Sequence, residues 1–118
     1  MTEADIQRAI VEYCNAVLLP SHRIFAVPNA SRRTLGGRAS NAVAGLLPGV
    51  PDLMIVGAGK AWFIEVKGPK GVLSDAQSDF GIWCITKGGM PWVCARSVDD
   101  VFEFLLHCGI PTRRHEIA

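Results

Sequence analysis

Apolar residues recur at Ile6, Ile10, Tyr13, Cys14 and Val17. That spacing marks one face of a helix and predicts a first helix over residues 3–18, ended by Pro20. Ile24-Phe25-Ala26-Val27 is a short unbroken apolar run that Pro28 closes, and it reads as a strand. Residues 52–56 form a second such run after Asp52, Gly57-Ala58-Gly59-Lys60 is a turn, and Ala61 to Lys67 is a further strand stopped by Gly68-Pro69. Ser74-Asp75-Ala76-Gln77 has the capping-box pattern and opens a helix expected to continue to about Lys87, before Gly88-Gly89. Pro91 to Ala95 is the last strand. Ser97 then caps a final helix, with Val98, Val101, Phe102, Leu105 and Leu106 expected on its apolar face and Gly109 and Pro111 at its end. The order α-β-β-β-α-β-α predicts an α/β domain, a mixed central sheet of about four strands flanked by helices.

Composition narrows this little. The chain has 118 residues, 49% hydrophobic and 19% charged, which fits one globular domain over 1–118 and excludes a disordered class. The net charge of +1, from 12 Lys and Arg against 11 Asp and Glu, does not announce nucleic acid. No apolar run approaches the ~18 residues of a membrane span, and the acidic start lacks the order of a secretory leader, so no membrane partner is expected. Cys14, Cys84, Cys94 and Cys108 form no C-x-x-C pair. They argue against a zinc ribbon and read as reduced thiols in a cytoplasmic protein.

The distribution of charge is more informative than its sum. No Asp or Glu occurs between Glu12 and Asp52, while His22, Arg23, Arg32, Arg33 and Arg38 do. Residues 28–48 read as a long basic loop, either a plain solvated connection or a functional surface. Residues 110–118 read as a short tail that carries Arg113, Arg114 and His115.

The segment from Gly49 to Gly68 carries the chemistry. A hairpin centred on Ala58-Gly59 sets Val56 opposite Ala61 and Asp52 opposite Glu65. Directly opposed side chains stand roughly 4.5–5.5 Å apart at Cβ. Lys67, two residues on, points to the same face as Glu65; a slip of one residue would separate the two carboxylates. At such a separation they repel by roughly 3–4 kcal/mol at an effective dielectric near 20. A divalent cation, a salt bridge to Lys67, or protonation of one partner would each relieve the repulsion. Leu53, Ile55, Ile64 and Val66 fill the opposite face, and Met54, Val56 and Phe63 share the charged one. A cation on this pair suits phosphodiester hydrolysis, with Lys67 beside the water or the phosphate.

Pro51-Asp52 followed by Glu65-Val66-Lys67 resembles the PD-(D/E)xK nuclease signature. The wider pattern resembles the VRR-Nuc (virus-type replication-repair nuclease) branch of that superfamily. It comprises Gly49-Val50-Pro51-Asp52-Leu53, Phe63-Ile64-Glu65-Val66-Lys67-Gly68-Pro69, Gly71-Val72-Leu73-Ser74, Gln77, and the start Glu3-Ala4-Asp5-Ile6-Gln7. It extends over roughly residues 3–106. The resemblance implies a restriction-endonuclease-like core and Mg2+- or Mn2+-dependent cleavage of DNA in a bacterial or phage-infected cell. It also implies a homodimer acting on branched, Holliday-junction-like DNA in repair, and no small-molecule cofactor. Asp52 and Glu65 would be metal ligands and Lys67 the catalytic lysine.

The accessory residues each have a plain reading beside the functional one. At 100° per residue, Glu3 lies about 35° from the centre of the apolar face and Glu12 about 145° away. Glu3 is therefore expected to reach the site as a third carboxylate and metal ligand, or else only to complement the helix dipole. Gln77 is either a site residue of the family pattern or the partner of Ser74 in the capping box, and one conformation is not expected to serve both. Asn29, Arg32, Arg33, Arg38 and Lys70 are candidate DNA contacts. Trp62, Trp83 and Trp92 are expected in the core or at an interface, and His22 and His107 stand too isolated to be read as metal ligands. Two rival functions remain: a non-cleaving DNA-binding module with a nuclease fold, and a protein in which Asp52, Glu65 and Lys67 form only an ion network.

Overall fold

The computed structural model describes residues 1–28 and 44–113. Most of the expected basic loop, with Asn29, Arg32, Arg33 and Arg38, and the end of the tail from residue 114 on lie outside the described residues. The elements are α1 (Glu3–Val17), β1 (His22–Ala26), β2 (Leu53–Gly57), β3 (Lys60–Val66), α2 (Asp75–Trp83), β4 (Trp92–Ala95) and α3 (Val98–Cys108). This is the expected order. No described helix is long and apolar enough to cross a membrane.

The sheet runs β1-β2-β3-β4. The first three strands are antiparallel and β4 lies parallel to β3. Its mixed character follows from the connections: a tight turn joins β2 to β3, whereas α2 carries the chain from β3 back to a parallel neighbour. One face of the sheet (Leu53, Ile55, Trp62, Ile64, Val66) packs with Ile6, Ile10, Cys14 and Val17 of α1 and Val101, Phe104 and Leu105 of α3 in the buried core. α2 covers part of the other face. Phe80 meets Phe63 edge-on, with ring centroids 5.4 Å apart. A Cβ at Gly81 would stand 2.8 Å from the Trp92 indole, so only glycine lets the helix lie this close to β4. The four cysteines are free thiols, Cys14 and Cys84 buried, Cys94 and Cys108 half-buried. Trp62 is buried, Trp92 half-buried and Trp83 exposed.

Two expectations are corrected. The helix opened by Ser74 runs to the expected Gly88-Gly89 end, but only Asp75–Trp83 is α-helical, and Cys84–Gly88 is π-helical. There Thr86 Oγ1 donates to the Ile82 carbonyl at 2.7 Å, a side-chain bond that competes with the backbone ladder. The apolar face of α3 is also different. Phe104 is buried, whereas Phe102 and Leu106 are 46% and 66% exposed. Five apolar side chains between Val101 and Leu106 leave the helical phase ambiguous in sequence, and packing on α1 and β4 selects Val101, Phe104 and Leu105.

Candidate active site

The β2–β3 hairpin has the expected register, with Leu53 opposite Ile64 and Val56 opposite Ala61. Asp52 precedes β2 by one residue and therefore stands at the level of Glu65. It is fixed there from two sides. Its carbonyl accepts from the Val27 N–H at 2.9 Å, and its Oδ2 accepts from the Val66 N–H, also at 2.9 Å. The chain enters this position through Gly49, whose φ of +88° favours glycine and whose Cβ would overlap the Ala76 carbonyl of α2. The Gly49–Asp52 segment and the start of α2 are thereby packed directly together.

Asp52 is 5% and Glu65 1% exposed. A buried pair of carboxylates cannot stay doubly ionised without compensation. Burial first, then the Asp52 charge and a hydrogen bond with Asp52, push the Glu65 carboxyl up to about 9; Glu3 adds to the rise and Lys67 opposes it. Of the three routes open in sequence, this rise favours protonation of Glu65 in the metal-free protein, and the Lys67 charge opposes it. One oxygen, Glu65 Oε2, accepts from Gln77 Nε2 at 3.1 Å. The other, Oε1, is buried with no hydrogen-bond donor among the described residues.

Gln77 corrects the expectation that its two roles exclude each other. Its Oε1 accepts from the Ser74 N–H at 2.8 Å while Ser74 Oγ accepts from the Gln77 N–H at 3.1 Å. Its Nε2 meanwhile donates to Glu65. The amide has an acceptor at one end and a donor at the other, so one conformation caps the helix and holds the carboxyl.

Lys67 follows directly after β3. Its N–H donates to the Ala95 carbonyl at 3.0 Å, and its half-exposed side chain runs past Gly71, with Cδ 3.3 Å from where a Cβ there would stand. Glu3, in the first turn of α1, comes close enough for its charge to act on Glu65; Glu12 is exposed on the side of α1 that faces away from the core. Among the described residues, no three His, Cys, Asp or Glu side chains gather at metal-binding spacing, so the carboxylates form a pair with Glu3 nearby. Lys70 is exposed in the turn after β3. His22 is buried, its ring tilted against that of Trp62 with centroids 5.5 Å apart, at the far end of the sheet. A cavity of about 650 Å³ lies at that same far end, against the hairpin turn, lined by Lys60, Trp62, Met90 and Cys108 among others and by none of the site residues. Chemistry and not concavity thus locates the site.

Two residues were not legible in sequence. Cys94 pairs with Glu65 across the parallel strands, and Arg96, just beyond β4, donates from Nη1 to the Gly68 carbonyl at 2.6 Å. Nothing in the local sequence marks either; only the parallel β3–β4 register brings them to the site.

As chemistry, the arrangement offers two opposed carboxylates, one with an undonated buried oxygen, beside an ammonium group. This set fits a hard divalent cation, which takes oxygen ligands and stabilises the anionic form of the pair. The family model described as VRR-NUC domain matches residues 4–99. A solved structure described as a VRR_NUC domain protein is similar in fold, with a TM-score of 0.63 at 20% identity, covering 90% of this chain and 86% of that one. A comparison with curated proteins finds no match.

Proposed function

Since the chain belongs to the VRR-NUC domain family and so carries a nuclease-type domain, we propose that it is a metal-dependent endonuclease that hydrolyses phosphodiester bonds in DNA. The observation that carries this reading is the buried Asp52–Glu65 pair, with one Glu65 oxygen lacking a donor, beside Lys67. Asp52 and Glu65 would hold the cation, Mg2+ or Mn2+. When bound, it would polarise a phosphoryl oxygen and lower the pKa of water.

The chain's own residues do the rest. The Val66 N–H fixes the Asp52 carboxylate, and Gln77 Nε2 fixes that of Glu65, so both are oriented before substrate arrives. Lys67 Nζ, on a half-exposed side chain, orients the attacking water or bonds the phosphate as charge develops. Glu3 is a third carboxylate at the margin, within electrostatic reach of Glu65. Lys70, with Asn29, Arg32, Arg33 and Arg38, would hold flanking phosphates.

The finer parts of the proposal are branched DNA as substrate and a homodimer as the acting species, because two cuts on a two-fold symmetric branch need two sites. The exposed Ile82, Trp83 and Ile85 offer apolar surface for a second copy. The free thiols accord with a cytoplasmic protein.

The test is cleavage of labelled duplex, flap and four-way-junction DNA with Mg2+, Mn2+ or EDTA, with Lys67→Ala in parallel. Metal-dependent cutting that Lys67→Ala abolishes is the expected result. Retention of DNA in a gel shift without any cutting would instead favour a non-cleaving DNA-binding module.

A further inference from the structure

The end of β3 is held from β4 and the residue after it at two consecutive residues, Lys67 and Gly68. The Lys67 N–H donates to the Ala95 carbonyl at 3.0 Å. The carbonyl of the following residue, Gly68, accepts from Arg96 Nη1 at 2.6 Å and from the Gly71 N–H at 3.1 Å. The second of these closes a turn over Pro69-Lys70, a sequence suited to it because proline presets the backbone at the first central position. Arg96 is itself anchored. Its N–H donates to Asp100 Oδ2 at 2.8 Å, and the Asp100 N–H donates to Ser97 Oγ, the cap of α3. A cation from the β4–α3 junction therefore grips the turn that sets the direction of Lys67, across 28 residues of sequence. Charge-assisted bonds to a carbonyl are about twice as strong as neutral ones.

The location gives this grip a consequence. Lys67 is followed at once by a Gly-Pro turn in which Pro69 and Lys70 are exposed, and Lys67 is itself only half-buried. Its side-chain direction depends on the backbone at Lys67 and Gly68, and the Gly68 carbonyl has no other side-chain donor among the described residues. We propose that Arg96 is a positioning residue: by holding the Gly68 carbonyl it aims Lys67 at the Asp52–Glu65 pair. The proposal rests on the nuclease reading for its catalytic meaning and on the backbone geometry for the latch itself.

Two measurements on the full chain test it. Amide hydrogen exchange over residues 67–71 reads the latch without requiring activity. Arg96→Ala should raise exchange there about tenfold while leaving the β2–β3 core amides unchanged. Steady-state cleavage reads the consequence. The same variant should lower kcat by about 10- to 100-fold with KM within about twofold, since a small misplacement of a reacting group costs rate and not binding. Thermal melts in parallel establish that the variant is folded at the assay temperature. Unchanged exchange, or unchanged kcat, would overturn the proposal. So would a raised KM at constant kcat, which would make Arg96 a phosphate contact. If exchange responds but the wild-type protein cuts no DNA under any metal condition, the nuclease reading has failed, and the positioning role fails with it although the latch is real.

Discussion

Gln77 and Glu65 are joined by one hydrogen bond of 3.1 Å that ties the N-terminal turn of α2 to the buried carboxylate of β3. The same amide closes the capping box with Ser74. One side chain thus serves both the helix start and the orientation of the carboxylate, through separate bonds.

The two roles separate by mutation. Ser74→Ala removes the bond from the Gln77 N–H and should cost about 1 kcal/mol of stability, with cleavage kept within a few-fold because Nε2 still reaches Glu65. Gln77→Ala should cost a similar amount and in addition lower cleavage by tenfold or more. Chemical denaturation and cleavage rates on the same samples check this; equal rates in the two variants would leave Gln77 as a cap only.

The Glu65 carboxyl gives metal-free stability an unusual pH dependence. Its ordinary value is 4.5, and in the folded protein burial and Asp52 raise it to about 9. Between those limits the folded state holds a proton that the unfolded state has lost. Its contribution is therefore fully present below 4.5 and falls as pH rises, on the order of 1 kcal/mol per pH unit, until it levels off near 9. Urea unfolding in EDTA from pH 5 to 9 should show this fall, and Glu65→Gln, which cannot ionise, should flatten it.

A divalent cation should reverse that trend. Binding requires the anion, so Mg2+ or Mn2+ must displace the Glu65 proton. Titration calorimetry at pH 7 in two buffers of different ionisation enthalpy should report close to one proton released per cation bound. The cation should also raise thermal stability more at pH 8 than at pH 6. Asp52→Asn and Glu65→Gln should each remove the proton release, whereas Lys67→Ala should keep it while losing cleavage.

The hairpin was the most legible part of the molecule. Gly57-Ala58-Gly59-Lys60 admits a turn at one place, and the apolar alternation of Leu53, Ile55, Ile64 and Val66 penalises any slip, so the Asp52–Glu65 pairing follows from sequence. Position on a helix also carried Glu3 toward the site and Glu12 away from it. What could not be read depends on contacts that sequence spacing does not encode. Arg96 and Cys94 reach the site only through the parallel pairing of β4 with β3. The double use of Gln77 needed the distance between its amide and Glu65. The change from α- to π-helix after Trp83, where Thr86 Oγ1 bonds the Ile82 carbonyl, has no marker in the spacing of apolar residues.

The phase of α3 gives a stability test of the same kind. Phe102 and Phe104 are two residues apart and chemically identical, yet Phe104 is 8% and Phe102 46% exposed. Phe104 packs in the core with Val101 and Leu105 beneath the sheet, so Phe104→Ala should leave a cavity and cost about 3–5 kcal/mol. Phe102→Ala removes a half-solvated ring and should cost under about 1 kcal/mol in the monomer. The order is set by which side of the helix meets α1 and β4, and urea unfolding of the two variants reads it directly. If Phe102→Ala proves the costlier substitution at high protein concentration but not at low, its ring is covered by a second copy of the chain, and the dimer forms through the Phe102 and Leu106 stripe of α3 and not through Ile82, Trp83 and Ile85.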